Sequence, residues 1–309
     1  MIASCVAMVV NIGLNYILIF GKFGVPALGI VGAAYGTIIG SVTGLVILAA
    51  AYLGRSTRRE FSLARSFRFD RAIAGRLMRF GSSPGFEMFL NLLAFDAVVL
   101  AFHAHGPATA AAATIVFNWD MVSFVPLIGI EIGVTSLVGR SMGSRSPETA
   151  HRSTMSGLKM AVTYSSIIFI LFAFFPDALV NMFRPGTADA IFASARPMAV
   201  WMVRLAALYV FLEAVLIVFI GALRGAGDTF WAMAISVSGH WLMVCVAFIS
   251  FRALGLAPET VWAFMVGLIL AISVVVYLRY RSGAWKLICV VPEEPGALVG
   301  DGFHETTDL

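Results

Sequence analysis

Eight runs of about 20 predominantly apolar residues follow one another along the chain, and this pattern constrains the fold more than any motif in it. They span approximately 1–20, 29–53, 80–103, 118–139, 155–176, 198–222, 230–251 and 260–278. About 20 apolar residues in a helix cross a hydrocarbon layer of ~30 Å. Inside that layer every backbone polar group must be satisfied within the segment, so each run reads as a helix. Composition agrees: 60% of the residues are hydrophobic and only 12% charged, against about 25% charged in soluble domains. The expectation is an all-α integral membrane protein with about eight transmembrane helices.

Turn chemistry and charge separate the runs. Gly21-Lys22-Phe23-Gly24-Val25-Pro26 parts the first two, Gly106-Pro107 the third and fourth, and Gly225-Ala226-Gly227-Asp228-Thr229 the sixth and seventh. Arg55, Arg58, Arg59, Arg65, Arg68, Arg71, Arg76 and Arg79 crowd the segment after the second run, and Arg140, Arg145, Arg152, Lys159, Arg224, Arg279, Arg281 and Lys286 share its side. Only Lys22, Arg184, Arg196 and Arg252 fall opposite. Cytoplasmic loops carry the excess of Lys and Arg, so both termini and the basic 54–79 loop are expected in the cytoplasm, where that loop can attract anionic lipid. The net charge of +4 is therefore a topology signal and not a nucleic-acid footprint. Met1 opens straight into an apolar run without a basic leader or cleavage site, so no signal peptide is expected. The tail from Val291, acidic with Pro and Gly, is expected to be disordered. Cys5, Cys245 and Cys289 are scattered, and neither they nor the histidines form a metal site or disulfide framework. No phosphate loop, zinc-helix motif or nucleophile elbow occurs, so neither an enzyme nor a bound cofactor is expected.

The informative charges are acids inside the apolar runs, because a charge at membrane depth is costly and marks function by default. Counted from the nearest basic residue at about 1.5 Å per residue, Glu87, Glu131 and Glu213 lie about 12, 14 and 16 Å deep. No Lys or Arg is expected at that depth, so the three are expected to face one cavity. Tyr209, one turn before Glu213, and Asn91, one turn after Glu87, extend the same polar faces. Asp96 is placed near the outer mouth. Asp120 is placed at the outer end of its span and solvated, and Arg204 is expected to snorkel outward. The Gly/Ala-rich second run (Gly29, Gly32, Gly36, Gly40, Gly44) is a close-packing face.

Several stretches resemble the multidrug and toxic compound extrusion (MATE) transporters. They are Asn11-x-x-x-Asn15-Tyr16 with Gly24-Val25-Pro26-Ala27-Leu28-Gly29, Gly129-Ile130 through Gly139-Arg140-Ser141-Met142-Gly143, and Gly221-Ala222-Leu223-Arg224-Gly225-Ala226-Gly227-Asp228-Thr229. The last is the most specific. On that register residues 1–53 resemble helices five and six of the family's first lobe, and residues 80–285 its six-helix second lobe. Residues 54–79 join the lobes, residues 286–309 form a tail, and the first four helices are absent. The resemblance implies a bacterial inner-membrane antiporter that exports small organic, often cationic, compounds in exchange for H⁺ or Na⁺. It implies that Glu213 is the tenth-helix acid, Tyr209 part of a cation site, Glu87 the seventh-helix acid and Asn11 a first-lobe polar residue. It also implies a sodium ion at Glu87, Glu213 and Tyr209. Asn15 stands where the family commonly has aspartate, and Glu131 has no assigned family role. The rivals are a lipid-linked oligosaccharide flippase, which needs an arginine-rich cavity, and a non-transporting scaffold or fragment. Alternating access needs two bundles, so this chain alone is expected not to transport, and to require an N-terminal helical segment or a second copy of itself.

Overall fold

The structure is a computed structural model that describes residues 2–54 and 69–288. Arg55, Arg58, Arg59, Arg65 and Arg68, Cys289 and the acidic tail lie outside the described residues. The described residues are mainly helical with no strand among them: α1 (Ile2–Phe20), α2 (Gly29–Tyr52), α3 (Arg71–His103), α4 (Pro107–Gly143), α5 (Pro147–Phe174), the short α6 (Pro176–Asn181), α7 (Ala190–Gly225), α8 (Thr229–Arg252) and α9 (Pro258–Arg281), closed by a 3₁₀ turn at Ala284–Leu287. Eight of these are long and apolar enough to cross a membrane. Large apolar side chains cover their outer faces, among them Ile30, Ile132 and Met160, a surface suited to lipid and not to water. The protein is an integral membrane protein.

The chain divides into two compact units at Gly75. In the first, α1 and α2 form a hairpin whose turn needs left-handed backbone at Gly21 and Gly24. Gly32, Gly36 and Gly40 fall on one face of α2 and let the two backbones meet. A methyl group at Gly32 would stand 2.6 Å from the carbonyl oxygen of Leu18, and one at Gly40 would stand 2.8 Å from Asn11 Cβ. Asn15 donates to Asn11 Oδ1 at 3.2 Å and lies against Gly36. The glycine stripe is thus a packing face.

In the second unit α3, α4, α5, α7, α8 and α9 run alternately between two ends. One end carries Arg140, Arg224 and Arg281 and is called the basic end here; the other carries Gly106 and Asp177. The central helix is α7, two-thirds of whose membrane window (67%) is buried, the largest share of any span, between α4, α5 and α9. Two apolar clusters stack along it. Phe102, Val116, Met202, Val210 and Trp262 belong to the far cluster. Leu127, Val138, Ala214, Phe219, Leu223 and Trp285 belong to the basic-end cluster.

The long helices begin earlier than hydropathy indicates. Pro107, after Gly106 with φ 143°, starts α4, because proline at the first helical position gives up an N–H that has no partner there anyway. Helix α7 starts at Ala190, where the Asp189 carboxylate accepts from the Ile191 N–H at 2.8 Å. Helix α3 starts at Arg71, inside the segment expected to be a loop as far as residue 79. In α3 and α7 charged residues such as Arg71 and Arg196 lower local hydropathy without stopping the helix, and α4 simply extends beyond the ~20 residues that a crossing needs.

Candidate functional site

Where the two apolar clusters meet on α7, the packing turns polar. Tyr209 and Glu213 project from α7 one turn apart, and Asp120 reaches the same level from α4. The Tyr209 hydroxyl, on a side chain 2% exposed, donates to Asp120 Oδ1. Asp120 and Glu213 lie within electrostatic reach of each other, and Tyr164 of α5 is near Glu213. Serines complete the layer but direct their protons elsewhere. Ser123 donates to the Asp120 carbonyl (2.8 Å), Ser165 to Val210 (3.3 Å), and Ser273 Oγ lies 2.9 Å from the Leu212 oxygen. Glu213 Oε2 is buried with no hydrogen-bond partner among the described residues. No Lys or Arg pairs with either acid among the described residues. Two partly buried carboxyl groups between apolar clusters, with no Lys or Arg paired to them among the described residues, attract a cation. The Tyr209 ring, edge-on to Trp262 at 6.1 Å, supplies an aromatic wall.

This arrangement corrects the expectation for Asp120. With α4 beginning at Pro107, Asp120 stands thirteen residues into the helix, about 20 Å from its start, and is partly buried.

It also separates the acids expected in one cavity. Glu87 (α3) and Glu131 (α4) gather at the basic end around Arg224, about 16 Å along α7 from Glu213. Arg224 Nη1 donates to Glu131 Oε1, and Arg224 Nη2 lies 2.8 Å from Glu87 Oε1. That second contact is an ion pair by distance but lacks hydrogen-bond alignment, and both Glu87 oxygens are buried without a directed donor. The expectation that no basic residue reaches this depth is therefore corrected. Arg224 belongs to the last turn of α7 and not to a loop, and its side chain turns inward. The set Glu87, Glu213 and Tyr209 does not come together, so it does not form a sodium cage. Asp120 stands beside Glu213 and Tyr209 instead.

The Gly-Ala-Leu-Arg-Gly stretch explains how Arg224 is placed. Gly221 and Gly225 fall on one face of α7 against α4: a methyl group at Gly221 would lie 2.8 Å from Glu131 Cγ, and one at Gly225 2.5 Å from the Thr135 carbonyl oxygen. Thr135 Oγ1 donates to the Gly221 carbonyl at 3.0 Å. Close approach of small residues brings α7 onto α4, and Arg224 lands beside Glu131. The following Asp228, 5% exposed, accepts from Arg279 of α9 at 2.8 Å, and Arg279 also covers the Trp231 ring.

The other expected residues are accounted for locally. Asn91 donates to Ser236 of α8 at 2.8 Å and leaves its own carbonyl oxygen unpartnered. Asn11 and Asn15 pair with each other in the hairpin unit. Asp96 is exposed on α3. Arg204 reaches Asp177 at 4.0 Å, which Arg196 holds at 2.6 Å. Asp120 and Arg224 are the two residues whose placement was not foreseen. Pro107 as a helix start was the available signal for the first, and the four-residue glycine spacing around the second.

The second unit is a polytopic helical membrane bundle with acids layered inside it. The MatE family model matches residues 85–249, more than half of the chain, and the chain belongs to that family. It is 29% identical over 299 residues to the probable multidrug resistance protein NorM of Thermotoga maritima, covering 95% of this chain and 62% of the relative. It is 27% identical to the multidrug resistance protein MdtK of Yersinia pseudotuberculosis, covering 91% and 62%. The fold matches a solved multidrug resistance MATE transporter in an outward-facing conformation with a TM-score of 0.76 at 22% identity, over 91% of this chain and 62% of that one. The chain thus spans about 62% of the length of these relatives.

Proposed function

We propose that this chain carries the cation-handling bundle of a multidrug efflux antiporter, exporting organic cations in exchange for H⁺ or Na⁺. The observation that carries the reading is the layer of Asp120, Tyr209 and Glu213, two acids from different helices with no basic partner between two apolar clusters. An organic cation and a coupling ion need the same negative charge, so binding of one excludes the other. This is the exchange condition of an antiporter. The apolar walls and aromatic rings accept the body of an amphipathic substrate without fixing its shape.

In this reading both termini and the basic end face the cytoplasm of a bacterial inner membrane, following the positive-charge bias, and the chain is a transporter and not an enzyme. Alternating access requires a second bundle. In this reading the hairpin α1–α2 represents two helices of that other lobe, and further helices come from a longer protein or from a second copy of this chain. Membrane lipid covers the remaining apolar faces.

The test is equilibrium binding of tetraphenylphosphonium to the purified chain. Glu213→Gln is expected to weaken binding at least tenfold, about 1.4 kcal/mol, and Asp120→Asn to weaken it comparably. Acidification or added Na⁺ is expected to displace the probe from the unmodified chain. Unchanged affinity in Glu213→Gln removes this layer from the mechanism.

A further inference from the structure

The cluster at the basic end has a charge balance that packing alone does not explain. One guanidinium serves two carboxylates, so with both acids ionised the group keeps one uncompensated negative charge. Its fit is also incomplete. Arginine binds carboxylate best through two parallel N–H arms, yet here the fork is split, one arm to each acid. Among the described residues Arg224 Nε is buried without an acceptor, and Glu87, 1% exposed, receives no directed hydrogen bond on either oxygen. Arg224 itself is a quarter exposed (25%). It sits in the last turn of α7, just ahead of the break at Gly227 with φ 89°, so its side chain enters from the basic end and has a path back out.

We propose that Glu87 and Glu131 form a second cation pocket at the basic end, occupied by Arg224 as a tethered counter-ion. When Arg224 withdraws, the pocket accepts a free planar cation of the guanidinium or amidinium class. The chemistry of the ligand follows from the occupant: two carboxylates from α3 and α4, spaced by a guanidinium, match another planar cation with N–H donors on two edges. A spherical ion offers no such donors. The site is separate from the Asp120–Glu213 layer. The proposal depends on the antiporter reading only for the meaning of such a ligand as a transported cation.

Acetamidinium chloride is the probe, with sodium chloride at equal ionic strength as control, on the purified full chain. Arg224→Ala is expected to lower the unfolding temperature, and millimolar acetamidinium to restore several degrees of it saturably, where sodium does not. Arg224→Ala combined with Glu87→Gln and Glu131→Gln is expected not to respond. Absence of a saturable response in Arg224→Ala overturns the proposal. If that variant does not fold, Arg224→Gln, whose amide still bonds one carboxylate, carries the same comparison, and no response there overturns it equally. Displacement is read in the unmodified chain from the Arg224 Nε–H resonance, assigned by its loss in Arg224→Gln. Acetamidinium is expected to shift it saturably, and an unmoved resonance reduces Arg224 to a structural tie. None of these readouts involves Glu213, so failure here and failure of the tetraphenylphosphonium test are distinguishable.

Discussion

Asp228 and Glu213 show how differently one kind of side chain is used a few turns apart. Asp228 is buried but fully engaged by Arg279, which in turn rests on Trp231. Glu213 is left with a buried oxygen and no partner. The first contact is architectural. Asp228→Ala is expected to destabilise the bundle by about 1–3 kcal/mol, the cost of leaving a half-buried charged donor unmet. It should appear as a lower unfolding temperature with tetraphenylphosphonium affinity unchanged. Glu213→Gln is expected to behave in the opposite way, losing affinity while keeping stability, because removing an uncompensated buried charge relieves desolvation. Equal loss of stability in the two variants would contradict this division. Residue types alone showed that acids lie at depth. They did not show which acid has a partner, because Arg224 counts as a loop residue until the end of α7 is known.

At the scale of elements, glycine spacing decides which helices touch. Gly221 and Gly225 on α7 meet α4, and Gly32, Gly36 and Gly40 on α2 meet α1. Gly225→Val is expected to push α7 off the Thr135 backbone and to cost about 1–3 kcal/mol through overpacking. It should also detach Arg224 from Glu131, so the variant should lose the Arg224 Nε–H environment along with stability. Gly133→Ala is the control: no atom of another element lies within 4 Å of a methyl group there, and the unfolding temperature should hold or rise. Thermal unfolding of the two variants side by side decides the matter. The helices were legible because apolar runs of this length have no alternative in a membrane. Their ends were not, because Arg196 interrupts the apolar run of α7 without stopping the helix, and α4 runs on through apolar residues back to Pro107, well beyond the ~20 that a crossing needs. That offset is what misplaced Asp120.

For the whole molecule, the strongest expectation is topological. Loops at the basic end and at the opposite end belong on opposite sides of the membrane, so Ser144→Cys and Thr187→Cys should differ in intact cells. Only Thr187→Cys is expected to react with an impermeant maleimide, in a background lacking Cys5, Cys245 and Cys289. Labelling of both, or of Ser144→Cys alone, would invert or break the proposed orientation. The family and the eight spans could be read from sequence, since they rest on long patterns and contiguous motifs. The grouping of acids into two separate sets could not, since it depends on which face of α4 and α7 each residue occupies over tens of ångströms.

The interruption of the apolar interior at Tyr209–Glu213 also has a mechanical side. Cohesion in a packed hydrocarbon interior comes from interlocking side chains, and that interlock lapses where Asp120, Glu213 and the serines replace it. The bundle is thereby expected to behave as two stiffer blocks joined across a softer plane, threaded by continuous helices. Slip or bending between packed elements concentrates where interlock is weakest. The plane that carries the charge is thus expected to be the one along which the bundle deforms most easily, so that a cation arriving there would load the molecule at its most compliant level.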